Sequence, residues 1–287
     1  MKLRIRILFI AATLAALASA TTARAAPCEF APTGPVTATS LPTHMNCTIN
    51  GEKREALVYA PHIAVKGAKL PVVFGFHGHG GDMQGAAQQM HIQTIWTGVI
   101  VVYPQGLPTV STTDPEGLKP GWQREAGQNG DRDLKLFDAM LGLLEQKYSI
   151  DDTRIYTTGF SNGGGFSYLL WAERSQKIAA VGEVAGRLWD TEQLTQQRSL
   201  LAIAGKLDMT DPFSLQQQSI EKARQADQAT GTGQPCVVPG GAAMGTHCTR
   251  YASTAQTPVR TVIHPGAHVY PSWAPKEIVD FFKIHHL

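Results

Sequence analysis

The stretch RIYTTGFSNGGG, Arg154 to Gly165, decides how the rest of the chain is read. Ile155, Tyr156, Thr157 and Thr158 are β-branched or aromatic and run straight into glycine, which predicts a strand ending in a tight turn. The turn carries Gly159, Phe160, Ser161, Asn162 and Gly163, a G-x-S-x-G pattern. In such a pattern the strand turns sharply into a helix and holds the serine at the tip in a strained conformation. The flanking glycines leave room where strand and helix crowd together. The helix opens on backbone N–H groups without partners, so a developing anion can bind there. A phosphate-binding loop is the poorer reading, because no Lys-Ser or Lys-Thr pair follows the glycines.

A serine hydroxyl is a weak nucleophile and needs a base, itself oriented by a third group. Downstream of Ser161 stand His247, His264, His268, His285 and His286. The base must hang over the C-terminal edge of the sheet. His268, in the loop after the last predicted strand, is better placed than His264, which ends that strand. Asp208 and Asp211 both follow the predicted strand Ser199 to Ala204 closely enough to supply the acid, and spacing does not choose between them. Asp211 is followed by Pro212 and a helical stretch from Phe213, which reads as a helix cap and first turn. That leaves Asp208 for His268. Upstream, His77, Gly78, His79, Gly80 and Gly81 end an apolar strand; the backbone N–H of His79 and that of Asn162 are the expected oxyanion donors. A metal site built from His77 and His79 with His264 or His268 lacks a supporting carboxylate pattern, so no metal is expected.

The chain has 287 residues, 43% hydrophobic and 17% charged, enough for one large core. A net charge of +2, with no basic run after the first residues, argues against nucleic acid as a partner. Residues 1–25 read as a cleaved signal peptide: Lys2, Arg4 and Arg6, then the apolar run Ile7 to Ala20, then Ala23-Arg24-Ala25. The run is short for a membrane span, so no membrane is expected as a partner and the mature chain is placed outside the cytoplasm, secreted or periplasmic. Cys28, Cys47, Cys236 and Cys248 fall in two local pairs; three connectivities are possible, and Cys28–Cys47 with Cys236–Cys248 is the simplest.

Residues 26–287 read as a single domain. Ala26 to Asn46, rich in Pro, Thr and Ala, is expected to be extended. Strands are predicted at Arg54 to Ala60, Leu70 to Phe76, Gly98 to Tyr103, Ile178 to Val184, Ser199 to Ala204 and Val259 to Ile263. Helices are predicted at Met83 to His91, Asp133 to Tyr148, after Ser161, at Phe213 to Ala229 and at Ala274 to His285. Pro108 to Asp131 is a long polar loop, and Gly231 to Thr249 a Gly-rich loop stapled on itself. Strands alternate with helices, which predicts an α/β fold with a mostly parallel central sheet and helices on both faces.

The pieces PVVFGFHGHGG, VVYPQG, PGW, YSIDDTRIYTTGFSNGG, AAVGEVAG, AGKLD and PGAHVYPSWAP, in this order, resemble the polyhydroxybutyrate depolymerase and feruloyl esterase family of secreted α/β-hydrolases. The resemblance implies the α/β-hydrolase fold, Ser161, Asp208 and His268 as a catalytic triad, and a site lined by Gln105 and Trp122. Tyr270, two residues after His268 where many relatives carry Trp, joins them as a substrate contact. The chain departs from the family in that position and in the AGKLD lead-in to Asp208. The implied activity is ester hydrolysis by a cofactor-free monomer, on a polysaccharide-linked ester or a hydroxyalkanoate oligomer. The competing reading is a non-catalytic secreted binding protein that kept the fold.

Overall fold

The computed structural model describes residues 27–31, 42–61, 68–189, 191–238 and 245–287. The expected leader, 1–25, lies outside the described residues. Six strands form the parallel middle of one large sheet: β4 (Leu70–Phe76), β5 (Ile100–Pro104), β8 (Ile150–Phe160), β9 (Ala180–Val184), β10 (Ser199–Gly205) and β13 (Val259–His264). Their spatial order is β5-β4-β8-β9-β10-β13. Every residue of β4, β5, β9 and β10 is buried, as a sheet covered on both faces requires.

Two-residue alternation sorts these strands' side chains onto two cores. On one face Val72, Phe74 and Phe76 pack with α3 (Arg132–Lys147), α4 (Asn162–Arg174) and α5 (Phe213–Ala226). On the other, Val73, Val101 and Tyr103 pack with α1 (Met83–Met90), α2 (Ile92–Ile95) and α6 (Ala274–Lys283). In α3 the predicted stripe Leu134, Phe137, Leu141 and Leu144 is buried. The fold is the α/β-hydrolase fold.

Antiparallel strands complete both edges. On one side stand β1 (Cys28–Phe30), β2 (Thr43–Ile49) and β3 (Glu52–Tyr59); on the other β12 (His247–Tyr251) and β11 (Gln234–Cys236). The described ends of the segment expected to be merely extended are therefore strands, and the expected Gly-rich loop contains a pair of paired strands. Disulfides join Cys28 to Cys47 and Cys236 to Cys248. Each links directly opposed residues, β1 to β2 and β11 to β12, so the bridges staple the two outermost, three-residue strands of the sheet. A strand that short gains little from its own ladder; a crosslink contributes about 2–4 kcal/mol instead.

The loop expected from Pro108 to Asp131 contains a small ribbon, β6 (Leu107–Pro108) against β7 (Pro120–Gly121). It is tied down by buried polar groups. Asp133 at the start of α3 accepts from Arg54 (2.7 Å) and from Gln123 N (2.8 Å), while Gln123 Oε1 accepts from Asp133 N (3.0 Å). The loop is thus fixed against strand β3 and helix α3 on the side of the sheet where Ser161 stands.

Candidate active site

Ser161 lies between β8 and α4 with φ 56° and ψ −120°, a backbone conformation that a residue with a Cβ adopts only under constraint. The constraint is visible. Ser161 N donates to Val184 O (2.8 Å), and Gly165 N donates to Ser161 O (3.0 Å). A Cβ on Gly163 would fall 2.2 Å from Phe76 O, and one on Gly159 2.2 Å from the carbonyl carbon of Gly163. Only glycine lets β4, β8 and α4 approach this closely.

The same approach lays the His77–Gly81 segment on the turn. A Cβ on Gly78 would touch the Phe160 ring at 3.0 Å and Ser161 Cβ at 3.5 Å. His79 and Asn162 line one cleft of about 320 Å³ with Ser161. Asn162 is the first residue of α4, so its N–H has no intrahelical acceptor, and the N–H of His79 makes no backbone hydrogen bond among the described residues.

His268, in the loop between β13 and α6, places Nε2 2.8 Å from Ser161 Oγ and Nδ1 2.7 Å from Asp208 Oδ2. The Asp208 side chain is fully buried. It accepts from Thr210 N (2.9 Å) and Asp211 N (3.0 Å) on Oδ1 and from Gln216 Nε2 (2.9 Å) on Oδ2. A carboxylate so supplied holds the imidazole proton on Nδ1 and leaves Nε2 free to accept the serine proton. His264, the alternative base, is turned away: its Nδ1 accepts from Gly266 N (3.1 Å), and burial pushes its pKa down.

Asp211 does not cap α5. Pro212 is itself the cap residue, no side chain caps this helix, and Asp211 Oδ1 lies 2.7 Å from Arg187 Nε. Burial pushes Asp211 up to about 6, against the pull of Arg187. The cap argument for Asp208 therefore fails, although the geometry brings Asp208 to His268.

The three expected substrate contacts lie outside the cleft. Trp122 is fully buried; its indole N–H donates to His77 O (2.8 Å) and its ring packs edge-on against Phe76. Its backbone exchanges two bonds with the Asn162 side chain: Trp122 N donates to Oδ1 (2.7 Å) and Asn162 Nδ2 to Trp122 O (3.1 Å). Gln105 spends its amide on Met83 N (3.0 Å) at the start of α1 and on Gly106 O (3.2 Å). Tyr270 packs edge-on against Phe160 with its hydroxyl buried. These side chains build the walls behind the site.

His77 is buried, accepts from Gly106 N at Nε2 (2.9 Å) and bonds Gly78 O through Nδ1 (2.8 Å), so it is the neutral Nδ1–H tautomer; burial lowers its pKa. His79 Nε2 faces Asp114 Oδ2 (3.1 Å). Among the described residues no group of three or more His, Cys, Asp or Glu is placed to hold a metal ion.

Sequence reasoning missed residues that do line the cleft with Ser161, Arg124, Arg187, Trp189 and Thr210 among them, and gave Asp211 only as an acid or a helix cap. Arg187 and Trp189 follow the C-terminal end of β9, the edge where sites of open α/β sheets gather. That position was the signal available.

No family model matches the chain. It is 33% identical to feruloyl esterase D of Neurospora crassa over 144 residues, 48% of this chain and 47% of that protein. It is 31% identical to a probable feruloyl esterase C of Aspergillus terreus over 145 residues, 50% of this chain and 51% of that one. The chain spans about half the length of the curated relatives it matches. Among solved structures, an acetyl xylan esterase from Aspergillus awamori superposes with a TM-score of 0.64 at 14% identity, over 84% of this chain and 98% of that chain. The fold and the sequence agree on one resemblance: an α/β-hydrolase similar to feruloyl esterases.

Proposed function

We propose that this chain is a serine carboxylic-ester hydrolase. The observation that carries the reading is the hydrogen-bonded line Asp208–His268–Ser161 ending on a serine held at positive φ. Ser161 Oγ attacks the ester carbonyl while His268 Nε2 takes its proton; the buried Asp208 carboxylate stabilises the imidazolium. The N–H groups of His79 and Asn162 receive the oxyanion, with about 3 kcal/mol at stake in each donor. Collapse expels the alcohol, which takes the proton from His268, and leaves Ser161 acylated. Water, activated by the same imidazole, then releases the acid.

The substrate class is an ester on plant-wall polysaccharide, feruloyl or acetyl, or a hydroxyalkanoate oligomer. The chain's similarity to feruloyl esterases and to an acetylxylan esterase/xylanase supports the former. The leader-like residues 1–25 and the two disulfides support an extracytoplasmic location. We read residues 26–287 as one catalytic domain acting as a monomer. Labelling with a fluorophosphonate tests the reading: Ser161 is modified, and Ser161→Ala loses both the label and roughly 10⁶-fold in kcat. Undiminished hydrolysis by that variant would remove Ser161 as the nucleophile; an unlabelled, inactive parent chain would favour the binding-protein reading.

A further inference from the structure

The cleft that holds Ser161 is also lined by Arg124, Arg187, Trp189 and Asp211. The guanidinium carbon of Arg187 lies 3.8 Å from the centroid of the Trp189 ring and that of Arg124 4.3 Å from it. Arg187 is paired with Asp211. Arg124 makes no ion pair among the described residues, and its Nε is buried without a hydrogen-bond partner. Burial, then the charge of Arg187, lowers its pKa. Among the described residues, two cations at the aromatic ring thus share one paired carboxylate, and the second cation is partly desolvated with unused donors. Stacking on Trp189 offsets part of that cost but satisfies none of the five N–H groups.

The backbone that carries this cation is tied to the turn that carries the nucleophile. The backbone of Trp122, two residues before Arg124, exchanges two bonds with the side chain of Asn162, the residue after Ser161. Arg124 N is itself held by Gln128 Oε1 (2.6 Å). A planar guanidinium with free donors, stacked on Trp189 and lining a cleft with Ser161, matches a carboxylate in two-point geometry.

We propose that Arg124, stacked on Trp189 and backed by Arg187, is a carboxylate-binding subsite, and that the ester this chain prefers carries a free carboxylate beside the scissile bond. The inference rests on the ester-hydrolase reading. Two substrate chemistries supply such a group: the acid end of a hydroxyalkanoate oligomer, and a uronic acid bearing an ester.

The test uses matched pairs on the full chain. The first pair is the 3-hydroxybutyrate dimer as free acid and as its terminal methyl ester, following cleavage of the internal ester. The second is an acetylated methyl glucuronoside and the equally acetylated methyl glucoside, following acetate release. The expected result is a kcat/KM ratio of acid to neutral member of roughly tenfold or more in at least one pair, the size of one charge-assisted hydrogen bond. The pair that shows it names the source. Arg124→Gln collapses that ratio toward one, and Arg124→Lys keeps part of it. A merely structural role for Arg124 would lower both members together and leave the ratio unchanged, which overturns the proposal, as does equal hydrolysis within both pairs by the unmodified chain. Fluorophosphonate labelling of Ser161 in the same samples separates the two failures: a labelled serine with no acid preference sinks only the subsite, and an unlabelled serine sinks the esterase reading with it.

Discussion

At the scale of single residues, Asp208 and Asp211 lie three apart, yet their environments assign them opposite tasks. Asp208 receives four donors, two backbone N–H groups, Gln216 and His268, so an ionised carboxylate is satisfied on both oxygens. Asparagine there must turn an NH₂ toward one of these donor pairs. If it faces His268, the imidazole proton is driven to Nε2 and the base is lost. We expect Asp208→Asn to lower kcat by about 10⁴, the cost of that tautomer change in a serine protease. Asp211→Asn leaves the His268 partner in place and is far milder; it removes the anion that competes for Arg187 and raises the acid-to-neutral preference. Steady-state kinetics on both variants check this, and a dead Asp211 variant with an active Asp208 variant would reverse the assignment. The sequence reading chose the aspartate that the geometry brings to His268, but its reason fails. An Asp-Pro before a helix reads as a cap, but here Pro212 takes the cap position with φ −49° and ψ 131°, and the cation Arg187 claims the Asp211 carboxylate. A partner distant in sequence overrode a local preference.

Among elements, the turn from β8 into α4 was the most legible piece, because close backbone approaches at Gly159 and Gly163 leave glycine as the only residue that fits. Gly163→Ala would drive a Cβ to 2.2 Å from Phe76 O, against the Phe76–His77 backbone, so we expect loss of soluble folded protein or of all labelling at Ser161. Gly142, inside α3, is the control. A Cβ there meets nothing within 4 Å, and Gly142→Ala stabilises by about 0.5–1 kcal/mol through helix propensity. Thermal melts of the two variants should move in opposite directions; a Gly163→Ala protein with native melting and activity would refute the packing account. The buried central strands were legible for a related reason, as continuous apolar runs. The edge strands were not. β11 is three residues with little burial, and its place is set by its partner strand and a disulfide. β2 did carry a signal, since Met45, Cys47 and Ile49 point inward at period two, but the Thr- and Pro-rich approach masked it. The cleft lining was the least legible part. Its residues come from loops far apart in sequence, and no spacing brings Arg124 to Trp189.

For the whole molecule, the buried acids set the response to pH. Asp227, just after α5, has one oxygen bonded to Arg198 N (2.7 Å) and the other buried, at the helix end where the dipole is negative. Burial pushes it up to about 8, against the pull of Arg198. In the unfolded chain the same group titrates near 3.8. Between those values the folded state binds about one proton more than the unfolded state, so stability falls as pH rises, by up to ~1.4 kcal/mol per unit. Glu183, wholly buried and held well above the usual carboxylate range by burial, acts in the same direction. His77, His264 and His285 act oppositely: burial lowers their pKa values, so stability is lost as pH drops below about 6.5, where they charge only on unfolding. Above 6.5 each histidine adds at most about 0.4 kcal/mol more, so the buried acids dominate there. We therefore expect the urea midpoint of the disulfide-intact chain to fall from pH 6.5 to pH 8, with Asp227 responsible for on the order of 1–2 kcal/mol of it. Asp227→Asn keeps an acceptor for Arg198 N and cannot ionise, so it should flatten that fall while leaving the pH 6.5 midpoint close to the parent's. Equal falls in the parent and the variant, at equal denaturant slope, would show that Asp227 is not the group being charged against its surroundings.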